Sequence, residues 1–432
     1  MRNASRLHRI VYITALIIAG EAVFALPFHV ARFFRPTVLE VFGLTATELG
    51  AAQAMYGIAA MLSYFPGGPL ADRFPARKLL AASLWSTSCG GLYMASFPAY
   101  AGSLALWGFF GVTTILLLWA ALIRACRDWG ANHEQGLAYG LLDGGRGLLS
   151  AVLASLGVLL FGLAFPEGYG AATMAEKQDA LWLVIFIYTA VTAGAGVLVW
   201  FVIADDQPQS VPEAGRWQPG TETVAAHVAR VFRIPAVWLQ ALIIVCAYVG
   251  YKGLDNYTLF AAQVWELDEV EAARILAISN WLRPVAAIAM GVLGDRFNPS
   301  RMIMILFAVL LASDLFFALT TPIPGAAGIL LANVVITCIA VFGFRGLYYA
   351  LFEEAQVPDS LTGTATGFVS VLGYTPDIFV MFVAGVMIDR APGLDGHQQF
   401  FWFLAAFALV GFLASLAMMR LLHPRQVRLP GA

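Results

Sequence analysis

Apolar residues run in long blocks along this chain, with short polar interruptions between them. The blocks fall near 10–40, 48–70, 79–97, 102–123, 136–160 and 179–203, and again near 235–262, 271–293, 302–321, 326–350, 363–388 and 399–421. A helix needs about 20 apolar residues to cross a hydrocarbon core, so the pattern predicts twelve spanning helices. Residues 204–234 break the rhythm with Pro, Asp, Glu and Gln. This linker closes on a short amphipathic stretch, VAAHVARVF, suited to the membrane surface. The expected organisation is an all-α membrane protein: a six-helix bundle over 1–203, a linker over 204–234, and a second bundle with a short tail over 235–432.

The two halves share a motif. GGPLADRFPARK at 67–78 returns as GVLGDRFNPSRM at 291–302, both reading G-x-L-x-D-R-F, with Asp72 and Asp295 223 residues apart. Each copy lies where one apolar block ends and the next begins, which marks two similar membrane-embedded halves. VYITALII (11–18) pairs with VWLQALII (237–244) at an offset of 226, and GLAYG (136–140) with GTATG (363–367) at 227.

Composition sharpens this picture. The chain is 60% hydrophobic and 12% charged, about half the charge of an ordinary soluble domain, and its mean hydropathy is +0.77. The four cysteines are scattered and the six histidines form no H-E-x-x-H, so no metal site, cofactor or disulfide framework is indicated. No basic tract points to nucleic acid, and no nucleophile–base constellation points to an enzyme. The basic N-terminal segment precedes a run that is too long for a signal peptide and carries Glu21, so it reads as a retained first helix. With both termini cytoplasmic, sixteen Lys and Arg residues lie inside and only Lys177 and Arg390 lie in outer loops, as the positive-inside rule requires.

Twelve spans in two sets of six, a central linker and G-x-L-x-D-R-x-x-x-R-K between helices 2 and 3 resemble the major facilitator superfamily over essentially the whole chain. FHVARFFRPTVLEVFGLTATELG (28–50) and GTATGFVSVLGYTPDIF (363–379) look like its organophosphate:phosphate antiporter branch. There a helix 1 arginine and a helix 7 arginine hold a substrate phosphate; Arg32 falls on the first. Gly250 stands at the second, with Lys252 two residues on. The helix 5 Gly-Pro pair of antiporters is absent from LLDGGRGLLSAVLASLG. The resemblance implies a monomer of the bacterial inner membrane that moves a small solute through a cavity lined by helices 1, 2, 4, 5, 7, 8, 10 and 11.

An ionised group at mid-bilayer costs about 3 kcal/mol or more unless paired or hydrated. Ten such groups occur here: Glu21, Arg32, Asp143, Arg146, Lys252, Asp255, Arg283, Asp314, Arg345 and Asp377. Nine fall on the helices that the resemblance assigns to the cavity. Only Asp314, in helix 9, does not, and the sequence offers no account of it. Arg32, Lys252, Arg283, Arg345 and Arg146, with Tyr374, are the candidate substrate contacts. Glu21, Asp377 and Asp143 are the candidate proton carriers, and His29 reads as a hydrogen-bonded structural residue. Asp143 and Arg146 are i,i+3 neighbours that could neutralise each other, Asp255 is an alternative partner for Lys252, and Arg35 reads as a snorkelling residue near the outer surface. Asp72, Arg73 and Arg77, with Asp295, Arg296 and Arg301, are candidate gating residues: each Asp is expected to meet a helix N-terminus of the opposite half, where the dipole attracts an anion.

The excess of embedded cation favours a small organic anion as substrate, carried by alternating access as antiport or proton symport. The alternatives are a proton-coupled carrier of a neutral or cationic solute, and a transporter-like solute sensor.

Overall fold

The computed structural model describes residues 6–130, 135–203, 230–322, 326–347, 351–354 and 359–426. Most of the expected linker, the tail beyond 426, Arg2, Tyr348 and Tyr349 lie outside the described residues, as do the side chains of Asp295 and Glu353.

Among the described residues all regular structure is helical, and twelve spans follow one another where the apolar blocks predict them. They are α1 (Arg6–Phe33), α2 (Ala46–Arg73), α3 (Ala76–Met94), α4 (Tyr100–Gly130), α5 (Gln135–Leu163), α6 (Met174–Val202), α7 (Pro235–Gln263), α8 (Glu269–Asn280 and Leu282–Phe297), α9 (Pro299–Leu319), α10 (Ala327–Arg345), α11 (Asp359–Gly373 and Pro376–Arg390) and α12 (Leu394–Gln426). Ten spans are long and apolar enough to cross a membrane on composition alone. The other two, α2 and α3, flank the first copy of the charged motif and are the more polar for it.

Three of the spans are broken at or beside a proline. Pro27 sits in a π-helical turn over Ala25–His29, because a residue without an N–H cannot close the regular ladder. Pro36 follows the break at Phe34 and starts a further helix, Arg35–Phe42. Its missing N–H would have bonded the Arg32 carbonyl; that oxygen instead accepts the Thr258 hydroxyl at 2.8 Å. The bend of α11 at Tyr374–Thr375 precedes Pro376, which disfavours helical backbone in the residue before it. In α8, Pro284 lies just past the break at Trp281. The glycine-flanked GYKGLDNY stretch of α7 tightens into a 3-10 turn over Leu254–Asn256.

The helices group into two compact units. The first comprises residues 1–212 together with 255–281 and 377–389, and the second 213–254, 282–376 and 390–432. In the first unit α1 packs on α5 and α6, α2 on α4, and α3 on α6, around a core that includes Leu16, Val23, Leu84, Leu118, Leu122 and Val199. Lipid supplies no hydrophobic drive for helices to associate, so close backbone approach and polar contacts must hold them. Gly50 and Gly57 of α2 provide the approach: a Cβ at Gly50 would stand 2.3 Å from the Met381 oxygen, and one at Gly57 2.7 Å from the Asp377 carbonyl carbon.

In the second unit α9 and α7 pack on α12, α10 packs on α8 and α9, and the first part of α11 lies on α7. Glu354 caps α9, accepting from the Ser300 amide at 2.9 Å and its hydroxyl at 2.6 Å. Asp314 is fully buried in α9, and neither carboxylate oxygen has a hydrogen-bond partner among the described residues. An ionised group there would be uncompensated. Asp314→Asn is therefore expected to melt no lower than the parent and to keep its transport rate; thermal melting in detergent with an uptake assay checks this.

Candidate functional site

Pro36 gives the site its starting point. By ending α1 it frees backbone in mid-unit and brings the Arg32 side chain, 5% exposed, to the 3-10 turn of α7. There the Arg32 Nε donates to Asp255, itself 1% exposed. Asp255 thus pairs with Arg32, a partner that sequence spacing does not offer. Lys252 is buried at 1% in the second unit.

A second buried cluster lies one π-turn earlier in α1. Arg146 Nε donates to the Gly20 carbonyl at 2.9 Å and stands 3.4 Å from Glu21 Oε2. Its guanidinium lies over the rings of Phe24 and Trp119, at 5.6 and 5.5 Å. The i,i+3 contact with Asp143 is looser, 3.9 Å, and that carboxylate is half exposed, so Glu21 is the nearer counter-charge. His29 Nε2 is 3.8 Å from Glu21 and 3.2 Å from the Ser150 hydroxyl, which accepts from the Asn280 amide at 3.2 Å. Glu21, His29 and Arg146 therefore form one buried polar chain that joins α1, α5 and α8. His29 keeps the hydrogen-bonded role expected of it, but with a carboxylate beside it that spacing alone did not reveal.

Arg35 is the residue the sequence reading misplaced. It does not snorkel. It is fully buried, and Nη1 donates to Gln53 Oε1 of α2 at 3.1 Å.

A third polar group ties the ends of several helices in the first unit. Asp389 of α11 accepts from the Ala46 and Thr47 amides at 3.2 and 2.7 Å, capping α2. Asp268 accepts from the Tyr169 amide at 3.1 Å, and the Tyr169 hydroxyl donates to Glu40, 3.1 Å away. Lys177 reaches the same Glu40 at 2.8 Å, and Thr37 donates to Glu269. Burial, reinforced by the Glu269 carboxylate, holds the Tyr169 phenol well above its ordinary pKa, so it remains a proton donor to Glu40. The expected gating motif is less engaged: Asp72, Arg73, Arg296 and Arg301 are exposed, and Arg77 lies 4.9 Å over Trp200.

The remaining candidates are in the second unit or at its edge. Arg283 is buried, Arg345 lies over the Tyr251 ring at 5.6 Å, and Tyr374 packs edge-on against Tyr248 at 5.0 Å. Asp377, half-buried, belongs to the first unit. Among the described residues no group of three or more His, Cys, Asp or Glu side chains could hold a metal ion.

The model of the Major Facilitator Superfamily matches residues 13–378. Two Escherichia coli inner membrane proteins are similar to this chain: YqcE is 28% identical over 371 residues, covering 85% of this chain and 84% of YqcE. YihN is 24% identical over 417 residues, covering 95% of each. A hexuronate transporter of Bacillus subtilis is 22% identical over 90% of this chain and 89% of its own length. Among solved structures, a bacterial homologue of the human lysosomal transporter Spinster superposes with a TM-score of 0.72 at 16% identity, covering 96% of this chain and 99% of that one. A D-xylose-proton symporter superposes equally well, with a TM-score of 0.72 at 14% identity, covering 95% and 97%.

Proposed function

We propose that this chain, which belongs to the Major Facilitator Superfamily and is a multi-pass secondary transporter of the inner membrane, carries a small organic anion by alternating access between two six-helix halves. One observation supports the anion above the others. Among the described residues five cations, Arg32, Arg35, Arg146, Lys252 and Arg283, are buried on or directly after α1, α5, α7 and α8, where Glu21 and Asp255 are the buried carboxylates; a third, Asp314, lies on α9. Embedded cations in excess of carboxylates give these helices a positive field that draws an acidic solute. Guanidinium suits a carboxylate or phosphate because its planar fork meets two oxygens at once. The relative named a hexuronate transporter handles a solute of this class.

The test is flux in proteoliposomes. Saturable uptake is expected for carboxylated or phosphorylated solutes, and none for neutral sugars or nucleosides. Saturable uptake of a neutral or cationic solute alone would overturn the reading.

The Glu21–His29–Arg146 chain supports proton symport as the coupling mode. Glu21 is buried beside an imidazole, so protonation there alters what Arg146 must balance. Glu21→Gln is expected to abolish accumulation driven by a proton gradient while solute exchange at zero gradient continues. If gradient-driven accumulation survives in that variant, Glu21 does not carry the coupled proton. Both termini and both G-x-L-x-D-R-F turns are assigned to the cytoplasm, on the distribution of Lys and Arg.

A further inference from the structure

The Arg35–Gln53 pair is a polar contact left half complete. Arg35 is 0% exposed and Gln53 3%, so water does not solvate either from bulk. The Arg35 Nη1 is used by the Gln53 oxygen at 3.1 Å. Its Nε and Nη2, and the Gln53 Nε2, have no hydrogen-bond partner among the described residues. The amide cannot be turned to relieve this, because arginine offers only donors and fixes the Gln53 oxygen toward itself. Buried donors without acceptors are rare, and here three stand on two adjacent side chains. All three ask for an acceptor.

The chain's own carboxylates do not supply it. Asp255 and Asp389 are those whose charge reaches Arg35. Asp255 is taken by Arg32, and Asp389 is spent on the α2 amides of Ala46 and Thr47. The shape of the missing acceptor follows from which donors remain. Nε–H and Nη2–H are parallel and lie on one edge of the guanidinium, the fork that two oxygens of a planar acid fill together.

We infer that Arg35 and Gln53 form an anion subsite between the start of the Arg35–Phe42 helix and α2, distinct from the Arg32–Asp255 pair, that takes a carboxylate or a similar planar oxyanion. The class of ligand rests on the reading of the chain as an anion carrier; the geometry does not. Arg35 stands three residues beyond Arg32, across the break at Phe34, so the subsite gives the solute's acid group a second holding point just past the end of α1. Lysine at 35 would keep the charge and lose the fork.

The experiment uses the full chain purified in detergent, with sodium acetate and sodium nitrate as probes and sodium chloride at equal ionic strength as control. Melting temperature and calorimetric titration are read together. Acetate or nitrate is expected to stabilise the parent beyond chloride, with Arg35→Gln and Arg35→Lys each losing tenfold or more in probe affinity. Gln53→Leu, which leaves the guanidinium in place, is expected to lose several-fold, so the inference does not depend on one variant folding. Probe binding by Arg35→Gln equal to the parent's overturns the subsite, and so does a parent that responds to neither probe beyond chloride. Either result leaves the anion-carrier reading to the flux assay. Probe binding that depends on Arg35 in a protein that moves only neutral solutes overturns the carrier reading and leaves the subsite standing.

Discussion

Replacing Arg32 with alanine is expected to reduce solute uptake to background while the protein still inserts in the membrane. Two effects combine in that variant, and they can be separated. A guanidinium holding an acid group through two charge-assisted hydrogen bonds contributes about 1.5 kcal/mol or more through each. Their loss corresponds to on the order of a hundredfold in transport. The second effect is structural. Arg32 is bonded to Asp255 deep in the first unit, and removing one member of a buried pair costs about 3–5 kcal/mol because the other charge is left uncompensated. The single variant is therefore expected to melt lower as well as to fail. Arg32→Ala/Asp255→Ala removes both charges and is expected to recover most of the melting temperature without recovering uptake. Arg32→Lys keeps a charge for Asp255 but not the fork, and is expected to lie between, near the parent in stability and tenfold or more down in transport. Normal uptake by either Arg32→Ala or the double variant would remove Arg32 from the site.

Arg32 also illustrates how far sequence reading reaches. The duplicated G-x-L-x-D-R-F turn, the twelve apolar blocks and the glycine-loosened stretch of α7 were all legible, because each is a local pattern with one physical cause. Partners were not. Asp255 is 223 residues from Arg32, and neighbours on one helix offered Lys252 instead. The repeat held a clue that was available. VYITALII and VWLQALII set the α1–α7 offset at 226, and that offset matches Arg32 with Thr258, whose hydroxyl bonds the Arg32 carbonyl. Equivalent positions that touch are what a twofold relation between repeats produces near its axis. Arg35 was misplaced for a related reason. Distance along a helix suggests depth in the bilayer, but the break at Phe34 redirects the chain and the continuation buries Arg35 against α2. Depth was the wrong coordinate there; burial by a neighbouring helix was the right one.

Crowding α2 is expected to have the second large effect, by preventing the second part of α11 from lying on it. Gly50 and Gly57 face the backbone of Met381 and Asp377 with no room for a Cβ, and backbone cannot swing aside as a side-chain end can. Overpacking of this kind costs about 1–3 kcal/mol at each position. The first unit can avoid that cost by releasing residues 377–389 from α2, since the contacts of α1 with α5 and α6 do not involve this face. Gly50→Leu/Gly57→Leu is thus expected to fold, to lose transport, and to expose a cysteine placed at Thr47 to a membrane-impermeant maleimide from the outer side. Asp389→Ala tests the same closure more gently. It deletes the cap on the Ala46 and Thr47 amides, worth about 1 kcal/mol, so a several-fold rise in labelling at Thr47 is expected with transport reduced rather than lost. The ordering matters as much as the size: the double leucine variant labels most, Asp389→Ala less, and the parent least. Equal labelling in all three, with transport intact in the leucine variant, would mean that the α2–α11 contact does not open during the cycle.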